Sequence, residues 1–232
     1  MNIAIFGYGK MGKSLENQLI TKHNLIIVSP ETNTSFEDIK ENIDVIIDFS
    51  SHEVIKDIEE YLLNKKCSLI IGTTGYSDEE NKIIKRISEN HVVIKSSNYS
   101  KGMNIFLDLI SLFQNYDLLN EQLLIKEIHH KNKKDVPSGT ALMIKDVLNK
   151  DINIESIRKD EHVGEHQVIV SLNNEKIILT HQAYSRDVFV SGVIEVLEII
   201  NNLEVGLYSL GDLSLWKEKK WLVWLKIKIK QL

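Results

Sequence analysis

One stretch of the chain concentrates titratable protons and fixed charge: Glu127-Ile128-His129-His130-Lys131-Asn132-Lys133-Lys134-Asp135-Val136-Pro137-Ser138-Gly139-Thr140. It leaves an apolar strand-like run, passes two histidines and three lysines, and enters a helix through Ser-Gly-Thr. A helix start exposes unpaired N–H groups and a partial positive charge, so Gly139 and Thr140 are placed to hold a carboxylate. Lysine adds a point charge and histidine a proton that titrates near neutrality, and together they imply an anionic substrate. Bland readings stand beside this one. A lysine-rich loop also serves as a solvated connector, Pro-Ser-Gly-Thr as a plain cap, and adjacent histidines on one strand point to opposite faces. The pair lacks metal-site spacing such as H-E-x-x-H, and no metal is expected.

A second cluster lies at the start. Ile3-Ala4-Ile5-Phe6 runs into Gly7-Tyr8-Gly9-Lys10-Met11-Gly12 and then into a helical pattern containing Leu15 and Leu19. G-x-G-x-x-G between a strand and a helix permits a tight turn and lets a pyrophosphate approach backbone N–H groups, which predicts a dinucleotide site; a turn that merely packs strand on helix is the alternative. The second strand ends Val28-Ser29-Pro30-Glu31. Glu31 suits a ribose 2′-hydroxyl, whereas Ser29 with Lys10 or Lys13 tolerates a 2′-phosphate, so NADH and NADPH both remain open. Gly72-Thr73-Thr74-Gly75 and Ser96-Ser97-Asn98-Tyr99 close two further strands at the edge where parallel sheets bind ligands. They read either as the nicotinamide end or as ordinary polar turns.

The elements that must position these groups follow from periodicity. Apolar runs at 2–7, 24–29, 43–49, 67–72 and 91–96 alternate with charged helical segments, which predicts a parallel sheet covered on both faces. Beyond residue 98 the pattern changes. A helix from Ser100 carries Met103, Phe106, Leu107, Ile110 and Phe113 on one stripe, and Gln122 to His129 reads as a strand. A helix opens at Pro137, strands at about 166–173 and 176–184 form a hairpin through Asn173-Asn174, and a helix spans about 188–203. The tail, Trp221 to Lys230, alternates like an edge strand guarded by lysines.

The fold class expected is therefore α/β, a Rossmann-like parallel-sheet domain plus an α+β domain for substrate binding. Residues 1–98 and 207–232 form the first and 99–206 the second, joined by a hinge rather than a loose tether. At about 150 residues per domain, the 232 residues make one large domain or two small ones. Basic and acidic residues, 28 against 33, give a net charge of −5, which argues against nucleic acid as a partner. The single cysteine, Cys67, forms no internal disulfide or cysteine-based zinc site and fits a reducing cytoplasm. No export signal or membrane span is expected, since no apolar run approaches 18 residues. Only Arg86, Arg158 and Arg186 represent arginine; Arg186 is favoured for carboxylate recognition over a structural salt bridge, and Arg158 is left between the two.

The block His129, His130, Lys133, Asp135, Pro137, Ser138, Gly139, Thr140 and Ala141 resembles the pattern of the bacterial dihydrodipicolinate reductase (4-hydroxy-tetrahydrodipicolinate reductase) family. The resemblance extends through the glycine loop, Gly72 to Gly75, Asn98 to Asn104, Gly164-Glu165-His166, Ser185-Arg186, Phe189 and Gly192, up to about Leu213. It implies reduction of 4-hydroxy-tetrahydrodipicolinate with NADH or NADPH in diaminopimelate and lysine biosynthesis, and a homotetramer assembled through the second domain. It further implies nucleotide contacts at Gly7 to Gly12, Gly72, Thr73, Thr74, Ser96, Ser97, Asn98 and Tyr99. His129 becomes the proton donor or acceptor, Lys133 a second donor, His130 a substrate contact, and the Ser138-Gly139-Thr140 segment the dicarboxylate cradle. The chain departs from the family with Lys10 for an arginine, Ser96-Ser97 for Ala-Pro and Asp160 for a glycine. A sugar or semialdehyde dehydrogenase would explain the glycine loop but not the His-His-x-x-Lys block, and a nonenzymatic nucleotide sensor would have no use for the proton donors.

Overall fold

The structure is a computed structural model and describes residues 1–116 and 122–213. Six parallel strands form the first sheet: Asn2–Phe6 (β1), Asn24–Val28 (β2), Val45–Asp48 (β3), Ser68–Ile71 (β4), Val92–Lys95 (β5) and Gly206–Tyr208 (β10), in the order β10-β5-β4-β3-β1-β2. Strand alternation sends Ile3 and Ile5 to one face and Ala4 and Phe6 to the other. Lys10–Leu19 (α1) and Asp187–Ile199 (α6) cover the first face through Leu15, Leu19, Val190, Val193 and Val196. Ile55–Leu62 (α2) and Asp78–Ile87 (α3) cover the second through Ile55, Ile58, Leu62, Ile83 and Ile84. Two covered faces explain why the strands read as continuous apolar runs, each fully buried isoleucine contributing about 1.5–3 kcal/mol relative to exposure.

The second sheet has the order β7-β6-β8-β9, from Asn153–Arg158 (β7), Gln122–His129 (β6), Gly164–Ser171 (β8) and Lys176–Ala183 (β9). Lys101–Ser111 (α4) and Gly139–Leu148 (α5) pack on one face, with Met103, Phe106, Ile110, Ile144 and Leu148 meeting Ile125 and Val168. Leu210–Leu213 (α7) follows β10.

Three details differ from the sequence expectation, and a fourth bears on a departure from the family. β7 was not foreseen; its Ser156 and Arg158 register opposite Glu127 and His129 of β6, a parallel pairing that no local pattern announces. α5 opens after Ser138 rather than at Pro137, because the Ser138 hydroxyl accepts the Ala141 N–H at 3.1 Å and sets the cap there. α6, assigned by sequence to the second domain, packs into the first sheet's core because Val190, Val193 and Val196 meet that apolar face. The family glycine replaced by Asp160 is not where the backbone turns left-handed; Glu161 takes that conformation, with φ 56°. The edge strand expected at Trp221 to Lys230 lies outside the described residues.

Candidate active site

At the end of β1 the chain turns at Gly7 with φ +92°, and a Cβ there would collide with the Phe49 carbonyl, so only glycine fits. Gly9 then caps α1 with no side-chain hydrogen bond, whereas Ser77, Ser100 and Ser138 cap α3, α4 and α5 through their hydroxyls. The first N–H groups of α1 therefore keep their capacity for an anion, and this open helix start fits a pyrophosphate. Nearby, Tyr8 donates to Glu16 at 2.6 Å, and Lys13 lies 5.0 Å from the Tyr8 ring centre and 3.4 Å from Glu31.

Hydroxyls tie the next strand ends together. Asp48 is fully buried and accepts from the Tyr76 hydroxyl and the Ser50 N–H, each at 3.0 Å. Burial pushes its carboxyl upward against the pull of these bonds. Thr73 accepts the Ser50 N–H at 3.0 Å, which joins the turn after β3 to the turn after β4. Tyr99 is buried and donates to the carbonyls of Ile71 and Ile94 at 2.9 and 3.1 Å, clamping β4 to β5. The Ser96 N–H reaches the Ile71 carbonyl at 3.1 Å, a bond that the family's alanine at this position would keep, while its hydroxyl donates to the Asn98 carbonyl at 2.8 Å.

Across from this edge stands the second sheet. The register of β6, β8 and β9 sets Glu127 opposite His166 and His166 opposite His181 on one face, and alternation adds His129 to that face. β6 ends at His129, so His130 belongs to the following loop and both histidines reach the same cavity. Adjacent histidines pointing apart is therefore not what the fold builds. Lys133 lies 3.0 Å from Asp135, whose other oxygen accepts weakly from the Gly139 N–H at 3.4 Å. Asp135 is held below its ordinary range; burial opposes that, and the Lys133 bond and charge outweigh it. His130 is pushed down, first by burial and then by the positive charges of Arg186, Lys10 and Lys133. His166 is pushed down to about 3, chiefly by burial and then by His129.

Both walls enclose one cavity of about 220 Å³. Of the residues expected at the nucleotide, Met11, Gly72, Thr74, Ser97, Asn98 and Tyr99 line it; of those expected at the substrate, His129, His130, Lys133 and Thr140 do. Gly7, Tyr8, Gly9, Lys10 and Gly12 stand beside it at the α1 start, and Thr73 and Ser96 are buried and bonded to Ser50 and Asn98. Ser138 caps α5, and Gly139 presses it against the first domain: a Cβ there would lie 3.1 Å from Ser97 and 3.5 Å from Thr74. Asn98 donates to the Thr140 hydroxyl at 3.2 Å, a direct bond between the walls. Sequence reasoning missed Phe49, Val163, His181 and Ala183, which also line the cavity, as do Gly164, His166, Arg186 and Phe189. A period-two pattern in β8 and β9 was the available signal, but only sheet register shows that those alternate residues face this cleft.

Glu127, His129 and His166 bring ligand-type atoms within 4.8 Å of one another. Glu127 is already occupied by Arg158 at 3.1 Å and by His129 Nδ1 at 2.9 Å. A fixed guanidinium beside the carboxylate and contacts at hydrogen-bond length mark an acid–base cluster rather than a metal cage.

Comparison with known proteins agrees with this geometry. Residues 1–99 match the dihydrodipicolinate reductase N-terminal family and residues 102–213 the C-terminal family. The 4-hydroxy-tetrahydrodipicolinate reductase of Wigglesworthia glossinidia brevipalpis is 34% identical over 197 residues, 82% of this chain and 74% of that protein. The enzyme of the same name from Thermosipho africanus is 34% identical over 216 residues, 92% of this chain and 97% of its own. Among solved structures, dipicolinate-bound dihydrodipicolinate reductase from Paenisporosarcina sp. TG-14 shares the fold with a TM-score of 0.68 at 21% identity, covering 90% of this chain and 97% of that one. A probable dehydrogenase from Thermotoga maritima reaches 0.61 at 9% identity, covering 93% of each chain. The sequence block, the two-walled cleft and these matches converge, and the chain belongs to the dihydrodipicolinate reductase family.

Proposed function

We propose that the chain is an NAD(P)H-dependent oxidoreductase that reduces 4-hydroxy-tetrahydrodipicolinate to tetrahydrodipicolinate in diaminopimelate and lysine biosynthesis. One observation carries this reading: the strand ends of the first sheet and the His129, His130, Lys133 and Thr140 groups of the second domain line a single cavity. When bound, the reduced nicotinamide supplies the hydride. The residues assigned to the nucleotide are Gly7, Tyr8, Gly9, Lys10, Met11 and Gly12 with Gly72, Thr73, Thr74, Ser96, Ser97, Asn98 and Tyr99, the last acting as a clamped floor rather than through its hydroxyl.

Loss of the 4-hydroxyl as water leaves a conjugated cyclic imine; hydride arriving on that ring leaves negative charge there, so a donor must protonate it while cations hold the carboxylates. His129 and Lys133 are the donors at hand. His130, the Ser138-Gly139-Thr140 helix start and Arg186 hold the two carboxylates, and the positive charge of Lys10, Lys133 and Arg186 around a neutral His130 suits a dianion. For a substrate carboxylate to reach Lys133 and the Gly139 N–H, Asp135 must yield part of its present contacts. Glu31 favours the 2′-hydroxyl of NADH and Lys13 the phosphate of NADPH, and their 3.4 Å pairing is compatible with use of both.

The enzyme is placed in the cytoplasm, where a buried Cys67 thiol, pushed up to about 12 by burial, stays inert. No described helix is long and apolar enough to cross a membrane. A homotetramer is assigned to the uncovered face of the second sheet, where Ile178 is exposed and Leu124, Ile128 and Ile169 half-buried.

The test is freshly generated 4-hydroxy-tetrahydrodipicolinate with NADH or NADPH, followed at the nicotinamide absorbance. Turnover is expected, and Lys133→Ala loses about 10²–10⁴-fold in kcat while still binding nucleotide. Unchanged turnover in that variant removes Lys133 from the mechanism.

A further inference from the structure

Glu127 is fully buried, and a carboxylate without water requires partners for its charge. Its Oε1 accepts from Arg158 Nη2 at 3.1 Å and from the Ser138 N–H at 3.2 Å. Its Oε2 lies 2.9 Å from His129 Nδ1, and neither of those two atoms has another hydrogen-bond partner among the described residues. The two atoms stand at hydrogen-bond length without forming an aligned bond, and contacts of this kind tighten in many enzymes only when the site fills. Burial alone would push the Glu127 carboxyl up, but the surrounding His129, Ser138, Ser156 and Arg158 hold it well below the ordinary range. It stays an acceptor, and an acceptor at Nδ1 requires a proton on that nitrogen.

The opposite ring nitrogen has different surroundings. A Cβ at Gly164 would stand 3.2 Å from His129 Nε2, so the absence of a side chain at Gly164 keeps that atom uncovered, and both residues line the cavity. Arg158 also donates to the Asp135 carbonyl at 2.7 Å, so the carboxylate that faces His129 is tied to the loop bearing Lys133. We propose that Glu127 is a positioning residue that fixes His129 in its Nδ1–H form, turning Nε2 toward the substrate, and that, through Arg158 and Ser138, sets the 133–138 loop relative to that imidazole. The proposal rests on the reading of His129 as a group that works on substrate.

The experiment is a long-range proton–nitrogen correlation spectrum of the histidine-labelled enzyme, with His129 assigned by the signals missing in His129→Gln. Protonated Nδ1 and bare Nε2 are expected where the ring is neutral; a wild-type spectrum with the proton on Nε2 overturns the proposal without any Glu127 variant having to fold. Glu127→Gln keeps the shape and loses the charge. It is expected to lower kcat on the order of 100-fold, with the KM for nucleotide unchanged and His129 in mixed forms, while Glu127→Asp regains part of the rate. Wild-type kcat in a folded Glu127→Gln enzyme also overturns it. Full activity in His129→Gln instead refutes the role of His129 and leaves the measured ring form standing, so the two failures are distinguishable.

Discussion

The two walls of the cleft work by different means. The nucleotide wall is built from backbone and small hydroxyls whose hydrogen bonds are largely internal: Thr73 to Ser50, Ser96 to Asn98, Tyr99 to two strand carbonyls. The substrate wall is built from charged side chains locked to one another, Glu127 with Arg158 and His129, Lys133 with Asp135. A wall of main-chain donors suffers when the backbone cannot adopt its turn; a wall of side chains suffers whenever one of them is removed.

Gly7→Val should have the largest effect after loss of Lys133, more than about 100-fold in nucleotide affinity, because a side chain at φ +92° meets the Phe49 carbonyl. Titration of nucleotide fluorescence checks it, and retained binding would mean that the turn is not the phosphate site. Arg186→Ala should raise the substrate KM, and the inhibition constant of pyridine-2,6-dicarboxylate, by about 10–100-fold, the worth of a charge-assisted hydrogen bond, with nucleotide affinity kept. Equal loss of both ligands would place Arg186 between the walls instead.

A further effect concerns acid. His166 is pushed down to about 3 from 6.5, so below pH 6.5 the unfolded chain binds a proton that the folded one refuses. Stability then falls as pH drops from about 6.5 toward 3, by up to about 1.4 kcal/mol per pH unit. Glu127, held low, adds loss in the same direction as pH falls below its ordinary value of 4.5. Urea midpoints at pH 7, 5 and 4 should decline steadily; a flat profile would show that His166 is not buried. The smallest effect is expected on the neutral wall, where Ser97→Ala should change kcat and nucleotide KM less than about threefold, the size of a weak net hydrogen bond. A large loss there would erase the distinction between the walls.

Much of this was legible in the chain. The glycine loop, the parallel strands and the His129 to Thr140 block are local patterns, and local patterns survive in sequence because turn geometry, period and helix capping act over a few residues. Glu127 was visible as part of the block but had no role there, since its partner Arg158 lies on a strand whose parallel pairing to β6 no local signal announces. His181 is silent in the sequence for the same reason: it faces the cleft only because β9 pairs with β8 in one particular register. Likewise α6 looks like part of the second domain along the chain, yet its valines pack under the first sheet.

Sequence by itself determined the kind of chemistry: a dinucleotide turn, a pair of proton-bearing groups and a helix start ready for a carboxylate, each encoded within about a dozen neighbouring residues. Tertiary structure alone decided which buried carboxylate faces the imidazole, which arginine is spent inside the fold and which is left for the cleft, and that the two walls touch through Asn98 and Thr140. The reason is physical. Contacts between residues far apart in the chain arise from register and packing, and those are settled by the burial of whole faces rather than by any short run of residues.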